Sequence, residues 1–160
     1  MIKTEDIIIR QFESGDATEV SRLIIDNLML VNVIDYGEAA VKQMTLFYSP
    51  EWILRYAQSC DTFVAEMRSA IVGTATLDQE RVRNVFVRID HQKRGIGKLL
   101  MRHVEEAASR QNNTRVVLLA NVGAVDFYRN LGYTQGGKSE VEVGDAQITV
   151  VTMEKTLLKP

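Results

Sequence analysis

The stretch VFVRIDHQKRGIGKLL, residues 85–100, constrains this chain most, because it joins a strand to a helix through a Gly-Ile-Gly. An alternating apolar run ends there, the polar loop Asp90-His91-Gln92-Lys93-Arg94 follows, and the spacing predicts an amphipathic helix over 96–111. Ile96, Leu99, Leu100, Val104, Ala107 and Ala108 share one face of it, with Lys98, Arg102, Glu105, Glu106 and Ser109 opposite. The first four N–H groups of a helix have no intrahelical partner, and its dipole is positive at that end. Gly95 and Gly97 permit positive φ and a close approach to the backbone, while Lys93, Arg94 and Lys98 add charge. Such a junction is suited to a phosphate or pyrophosphate.

The remaining patterns alternate strand and helix signals. Residues 7–12 (IIIRQF) read as a strand, and Asp16 with Glu19 as a capping box for a helix whose stripe is Ala17, Val20, Leu23, Ile24 and Leu28. Residues 37–48 are expected to be helical. Ser49-Pro50-Glu51 then starts a helix over 50–59, with serine as cap and proline in the first turn. Runs 62–66, 70–77 and 81–88 predict a meander. In the third, Val82, Asn84 and Phe86 are expected on one face and Arg83, Val85 and Val87 on the other. The run 116–120 (VVLLA) is apolar throughout, as for a strand covered on both faces. A helix over 123–131 closed by Gly132 follows, then strands 139–143 and 146–153 around Gly144-Asp145, a pair suited to a type II′ turn. The order predicts a single α/β (α+β) domain over 1–160, with a mixed, largely antiparallel sheet flanked by helices.

Which phosphate ligand fits the junction can be narrowed by counting. A P-loop requires a glycine where Gln92 stands and a hydroxyl where Leu99 stands, and a dinucleotide fingerprint requires a third glycine where Leu100 stands. ATP and NAD are both disfavoured. With a net charge of −2, nucleic acid is a poor partner as well.

Gln92-Lys93-Arg94-Gly95-Ile96-Gly97 instead resembles the Q/R-x-x-G-x-G/A pyrophosphate loop of the GNAT (GCN5-related) N-acetyltransferases. Val87 and Gln92 keep the spacing that precedes it, and Ile89 replaces a frequent proline. About 25 residues on, the stretch from Ala124 to Tyr133 (AVDFYRNLGY) is similar to the family's A-x-x-F-Y-x-x-x-G-[FY] motif. The element order from residue 7 to residue 157 is similar too. The resemblance implies acetyl transfer from acetyl-CoA, as cosubstrate, to a primary amine of a small molecule or peptide. It implies that residues 92–98 (Gln92, Lys93, Arg94, Gly95, Ile96, Gly97, Lys98) hold the pyrophosphate. The main chain of Phe86 and Val87 is then expected to meet the pantetheine amides, the Val87 N–H also polarising the thioester carbonyl.

Tyr128 is the catalytic candidate by the same resemblance, as proton donor to the departing thiolate; a phenol stays protonated at neutral pH. Its plainer reading is packing beside Phe127. Asn121 is read either as a hydrogen-bond partner of pantetheine or as a helix cap. The family often has a glutamate where Arg81-Val82-Arg83-Asn84 stands. That leaves the general base unassigned among Asp78, Glu80 and Glu66, and keeps a non-catalytic acyl-CoA-binding domain as the alternative. His91 and His103, without clustered acids or cysteines, form no metal site, and Cys60, the single cysteine, allows no internal disulfide. The acceptor is expected between 26–56 and 133–147, where Asp26, Asp35, Glu38 and Glu51 can draw a cation and Tyr36, Tyr48 and Trp52 can line an apolar wall; the plainer reading, which is preferred, makes them ordinary charges and core aromatics. The N-terminal stretch has no secretory apolar run, and no segment has the length to span a bilayer, so a cytoplasmic protein without a membrane partner is expected, as a monomer or homodimer.

Overall fold

The computed structural model describes residues 6–159. Seven strands form one sheet in the order β1-β2-β3-β4-β5-β7-β6. They are β1 (Ile7–Gln11), β2 (Asp61–Met67), β3 (Ala70–Asp78), β4 (Arg81–Val87), β5 (Arg115–Asn121), β6 (Thr134–Val143) and β7 (Ala146–Thr156). Every neighbouring pair is antiparallel except β4 and β5.

One face is covered by α5 (Ile96–Arg110), with α6 (Val125–Asn130) beside it. Its core joins Leu100, Met101, Val104 and Ala108 to Val72, Ala75, Val116, Leu118 and Met153, all nearly or wholly buried. Helix and sheet approach closely at Gly73, where a β-carbon would stand 2.8 Å from Leu100 Cδ1. On the other face lie α1 (Ala17–Asn27), α2 (Val33–Tyr36), α3 (Glu38–Phe47) and α4 (Pro50–Ala57). Val20, Leu23, Ile24, Leu28 and Ile53 pack there on Val64 and Ile71. Ser49 Oγ accepts the Trp52 N–H at 3.2 Å, so α4 starts as its sequence indicates.

Several details differ from the sequence reading. Asp16 and Glu19 do not cap each other. Asp16 accepts the Glu13 N–H at 2.7 Å and the Arg10 guanidinium at 2.8 Å, while Glu19 Oε2 accepts the Ile71 N–H at 3.2 Å and ties α1 to β3. Arg10 first, against a smaller opposing effect of burial, keeps the Asp16 carboxyl below its ordinary pKa. Between α1 and α2 the helix widens into a π turn, Leu28–Asn32. Strand β6 begins at Thr134, ahead of the expected 139. Its ladder slips between Gln135 and Lys138, across Gly136-Gly137.

Two differences open the site. The clean alternation in β4 fails because Asn84 adopts φ 55, and Thr74↔Phe86 is followed by Thr76↔Arg83. This bulge sets Val85 and Val87 on the α5 side with Val82, and turns Phe86 toward the α1 side. Strand β5 is covered on one face only. Val116, Leu118 and Ala120 are buried under α5, but Leu119 is 54% exposed.

Candidate functional site

Strands β4 and β5 touch through a single register pair, Arg81↔Val117, and then diverge. The bulge at Asn84 follows along β4, and the Asn84 Oδ1 accepts the Tyr48 hydroxyl at 3.0 Å. A cavity of about 650 Å³ fills the gap, within the range of small-molecule sites. Val82, Val85 and Phe86 line it from β4, and Val117, Leu119 and Asn121 from β5. Tyr36, Tyr48 and Tyr128 line it as well.

Near the end of β4 the backbone presents itself to the gap. Arg88 donates its N–H to Val72 O at 2.8 Å, so residues 72 and 88 form a hydrogen-bonded pair. Alternation along an antiparallel ladder then turns the Val87 N–H and C=O to the opposite edge, toward β5. The Val87 carbonyl is already met. Asn27 Nδ2 donates to it at 3.0 Å and Gln92 Nε2 at 3.2 Å. Gln92 Nε2 also donates to Asn27 Oδ1 at 2.9 Å. The Gln92 side chain therefore fixes the loop against α1 and β4. Asn27, 3% exposed within the apolar stripe of α1, escaped the sequence reading, although a polar residue at that helical spacing was a usable signal.

The loop 92–98 wraps the start of α5. Lys93 and Gly95 take φ 60 and 85, and the first helical bond is Leu99 N–H to Gly95 O at 3.1 Å. The N–H groups of 95–98 thus precede the helical ladder, with no side-chain cap on them. Lys93, Arg94 and Lys98 are exposed, and among the described residues none makes an ion pair. Ile96 is 1% exposed, so only its main chain is presented. The two glycines have different reasons. Gly95 is required by its φ, whereas at Gly97 a β-carbon would come within 3.0 Å of Phe127 Cζ and 3.7 Å of Val87 Cγ2. Loop, strand end and α6 therefore converge.

Tyr128 sits in the wall on α6, 7% exposed, with its ring edge-on to Phe127 and Tyr133 at 4.9 and 5.7 Å. Its hydroxyl makes no hydrogen bond among the described residues. Burial first, then nearby Tyr36, raises its pKa well above the ordinary phenol value, so it stays protonated. Burial, Tyr48 and Asp35 likewise push Tyr36 up to about 12. At the end of β5, Asn121 donates its side-chain N–H to Asp35 Oδ2 at 2.5 Å, and the same oxygen accepts the Gly123 N–H at 3.1 Å. Asn121 makes no side-chain cap; Asp35, from across the gap, satisfies the turn instead.

None of the carboxylates weighed as a base borders the cavity. Glu66 is paired with Arg10, Asp78 with Arg83 and Glu80 with Arg115, at 2.8, 3.4 and 3.2 Å. His91 is buried against Asp90 at 2.8 Å, and His103 packs edge-on against Phe63.

Comparison with known proteins agrees with this geometry. A family model described as an acetyltransferase (GNAT) domain matches residues 32–157. The glucosamine 6-phosphate N-acetyltransferase of Schizosaccharomyces pombe is 32% identical over 78 residues, covering 42% of this chain and 70% of that one. A GCN5-related N-acetyltransferase from Rhodopseudomonas palustris superposes with a TM-score of 0.90 at 19% identity, over 98% of this chain and 99% of the other. The PaiA N-acetyltransferase of Thermoplasma acidophilum, solved in complex with coenzyme A, gives 0.74 at 18% identity, over 94% and 98%. With a splayed sheet, a donor-lined helix start and a match along most of its length, the chain belongs to the acetyltransferase (GNAT) family.

Proposed function

We propose that this N-acetyltransferase moves the acetyl group of acetyl-CoA onto a primary amine inside the β4–β5 gap, with Tyr128 as the donor to the leaving sulfur. The observation that carries this reading is the cavity itself, which brings Tyr128 and the diverging strand ends to one place. The residues suit acetyl-CoA as cosubstrate. The N–H groups of 95–98, with Lys93, Arg94 and Lys98, would hold the pyrophosphate. The pantetheine arm would lie in the gap as a substitute strand beside β4, with the Val87 N–H left for the thioester carbonyl.

The amine nitrogen attacks the thioester carbon, forming the C–N bond. The carbonyl oxygen gains charge and can be met by the Val87 N–H. As the carbonyl reforms, the C–S bond breaks and the sulfur leaves as thiolate while the nitrogen gives up a proton. Because the Tyr128 phenol is a weaker acid than a thiol of pKa about 8.5, its full transfer of a proton is uphill. Tyr128 therefore acts chiefly as a hydrogen-bond donor to the sulfur, and the proton balance closes through solvent. No carboxylate borders the cavity, so the reactive fraction of the amine is the one already neutral.

A thermal-shift series with acetyl-CoA, ATP and NAD, paired with thiol release across a panel of amines, tests the reading. Acetyl-CoA should raise the melting temperature and the nucleotides should not. Equal stabilisation by ATP would count against the site, and stabilisation by acetyl-CoA without thiol release for any amine would favour a binding domain instead.

A further inference from the structure

Resting on the acyl-transfer reading above, we infer that the acceptor is a primary amine that also carries an anionic group, a carboxylate or phosphate ester, met by Arg83 with Arg81 beside it. Arg81 and Arg83 both line the cavity, while the carboxylates that touch its lining residues, Asp78 and Asp35, are already held by Arg83 and by Asn121 with the Gly123 N–H. Ahead of the bulge at Asn84, Arg81 and Arg83 share the face of β4 opposite Val82, and Val82 is buried in the α5 core. Both arginines are therefore turned to the acceptor side.

Their charges are available. Arg83 is held only through its Nε, 3.4 Å from Asp78 Oδ2, and its terminal nitrogens make no hydrogen bond among the described residues. Arg81 makes no ion pair among them. The acids flanking β4 and β5 are occupied elsewhere, Glu80 and Glu154 both pairing with Arg115 at 3.2 and 3.3 Å. A polycation entering here would meet two like charges and only carboxylates that already have partners, a mismatch that selects against it. A carboxylate or phosphate would meet a planar fork of donors that matches its oxygens. The lining shared with the arginines and Tyr128 includes the apolar Val117, Leu119, Met44 and Phe86 beside the uncharged polar Tyr48, Asn84 and Thr152. The acceptor thus has an acid at one end, toward the arginines, and the amine toward Tyr128.

The test is thiol release from acetyl-CoA by the full chain with matched amines, rates being expressed per neutral amine. Phenylalanine against 2-phenylethylamine isolates a carboxylate, glucosamine 6-phosphate against glucosamine isolates a phosphate, and spermidine supplies a polycation. At least one anionic member should exceed its neutral counterpart by about tenfold in kcat/KM, and the pair that does so tells carboxylate from phosphate. In Arg83→Gln that ratio should fall toward one. The ratio is taken within a single protein, so any loss of folded material cancels. A preference for the neutral members or for spermidine overturns the inference, as does a ratio retained in both Arg83→Gln and Arg81→Gln. Release without charge preference sinks this inference alone, while no release with any amine sinks the acyl-transfer reading and the inference with it.

Discussion

Strand β5 has two unlike edges. Along one it pairs with β7 at every residue, from Arg115↔Thr156 to Asn121↔Val150. Along the other it meets β4 only at Arg81↔Val117. The first edge satisfies its backbone groups within the protein and lies over the α5 core. The second leaves main-chain groups facing a cavity, a cost that a native sheet accepts only where another molecule completes the ladder or water does. One strand thus carries both stability and function, divided by edge and by face. Val116 is buried away from the gap, while Val117 and Leu119 line it.

The division can be broken first from the closed side. Leu100 is fully buried where α5 presses on Gly73. Leu100→Ala should cost about 3 kcal/mol of stability, combining lost burial with a cavity that α5 cannot easily collapse into. Urea unfolding measures it. A loss well under 1 kcal/mol would mean that this seam holds the fold less than its packing implies.

From the open side the expected pattern reverses. Tyr128→Phe removes a hydroxyl without a protein partner, so stability should change by no more than about 0.5 kcal/mol. Turnover should fall roughly 10- to 100-fold, or about 1.4–2.7 kcal/mol in the barrier, with little change in the KM for acetyl-CoA. Steady-state kinetics beside a melting curve separates the two. Unchanged turnover would reduce Tyr128 to wall packing.

How much of this was legible beforehand follows the range of the forces involved. The α5 face, the Ser49 cap and the glycine loop were readable because each is set by neighbours within a few residues. Several features were not. The bulge at Asn84 depends on how β4 meets β3, and a left-handed asparagine leaves no local mark. An apolar β5 gives no sign of which face a helix covers, so Leu119 reads like Leu118 although one is exposed and the other buried. Asn27 and Asp35 act on partners 60 and 86 residues away, beyond any spacing rule. Charges behave the same way. Of the four acids weighed for a cationic acceptor none lines the cavity and only Asp35 bonds a residue that does, Asn121, while the arginines that line it were read only as a missing glutamate.

The smallest effect is expected where the two sides of the gap are tied together. Asp35 reaches from α2 to Asn121 and to the Gly123 N–H, and all three groups lie near solvent. In Asp35→Ala, water can take over both donors, so the stability loss should stay near 0.5 kcal/mol. The Asn121 amide, however, loses the contact that orients it at the end of β5. If Asn121 meets the pantetheine arm, the KM for acetyl-CoA should rise about two- to threefold, a few tenths of a kcal/mol, with kcat almost unchanged. Gly123→Ala approaches the same contact from the other end, since its β-carbon would stand 2.7 Å from Asp35 Oδ2 and push the carboxylate away. Matching KM changes in both variants would assign the tie to cofactor binding. A KM unmoved in both would leave Asp35 as a cap on the β5–α6 turn, and the open edge would then owe its acetyl-CoA contacts to β4 and the 92–98 loop alone.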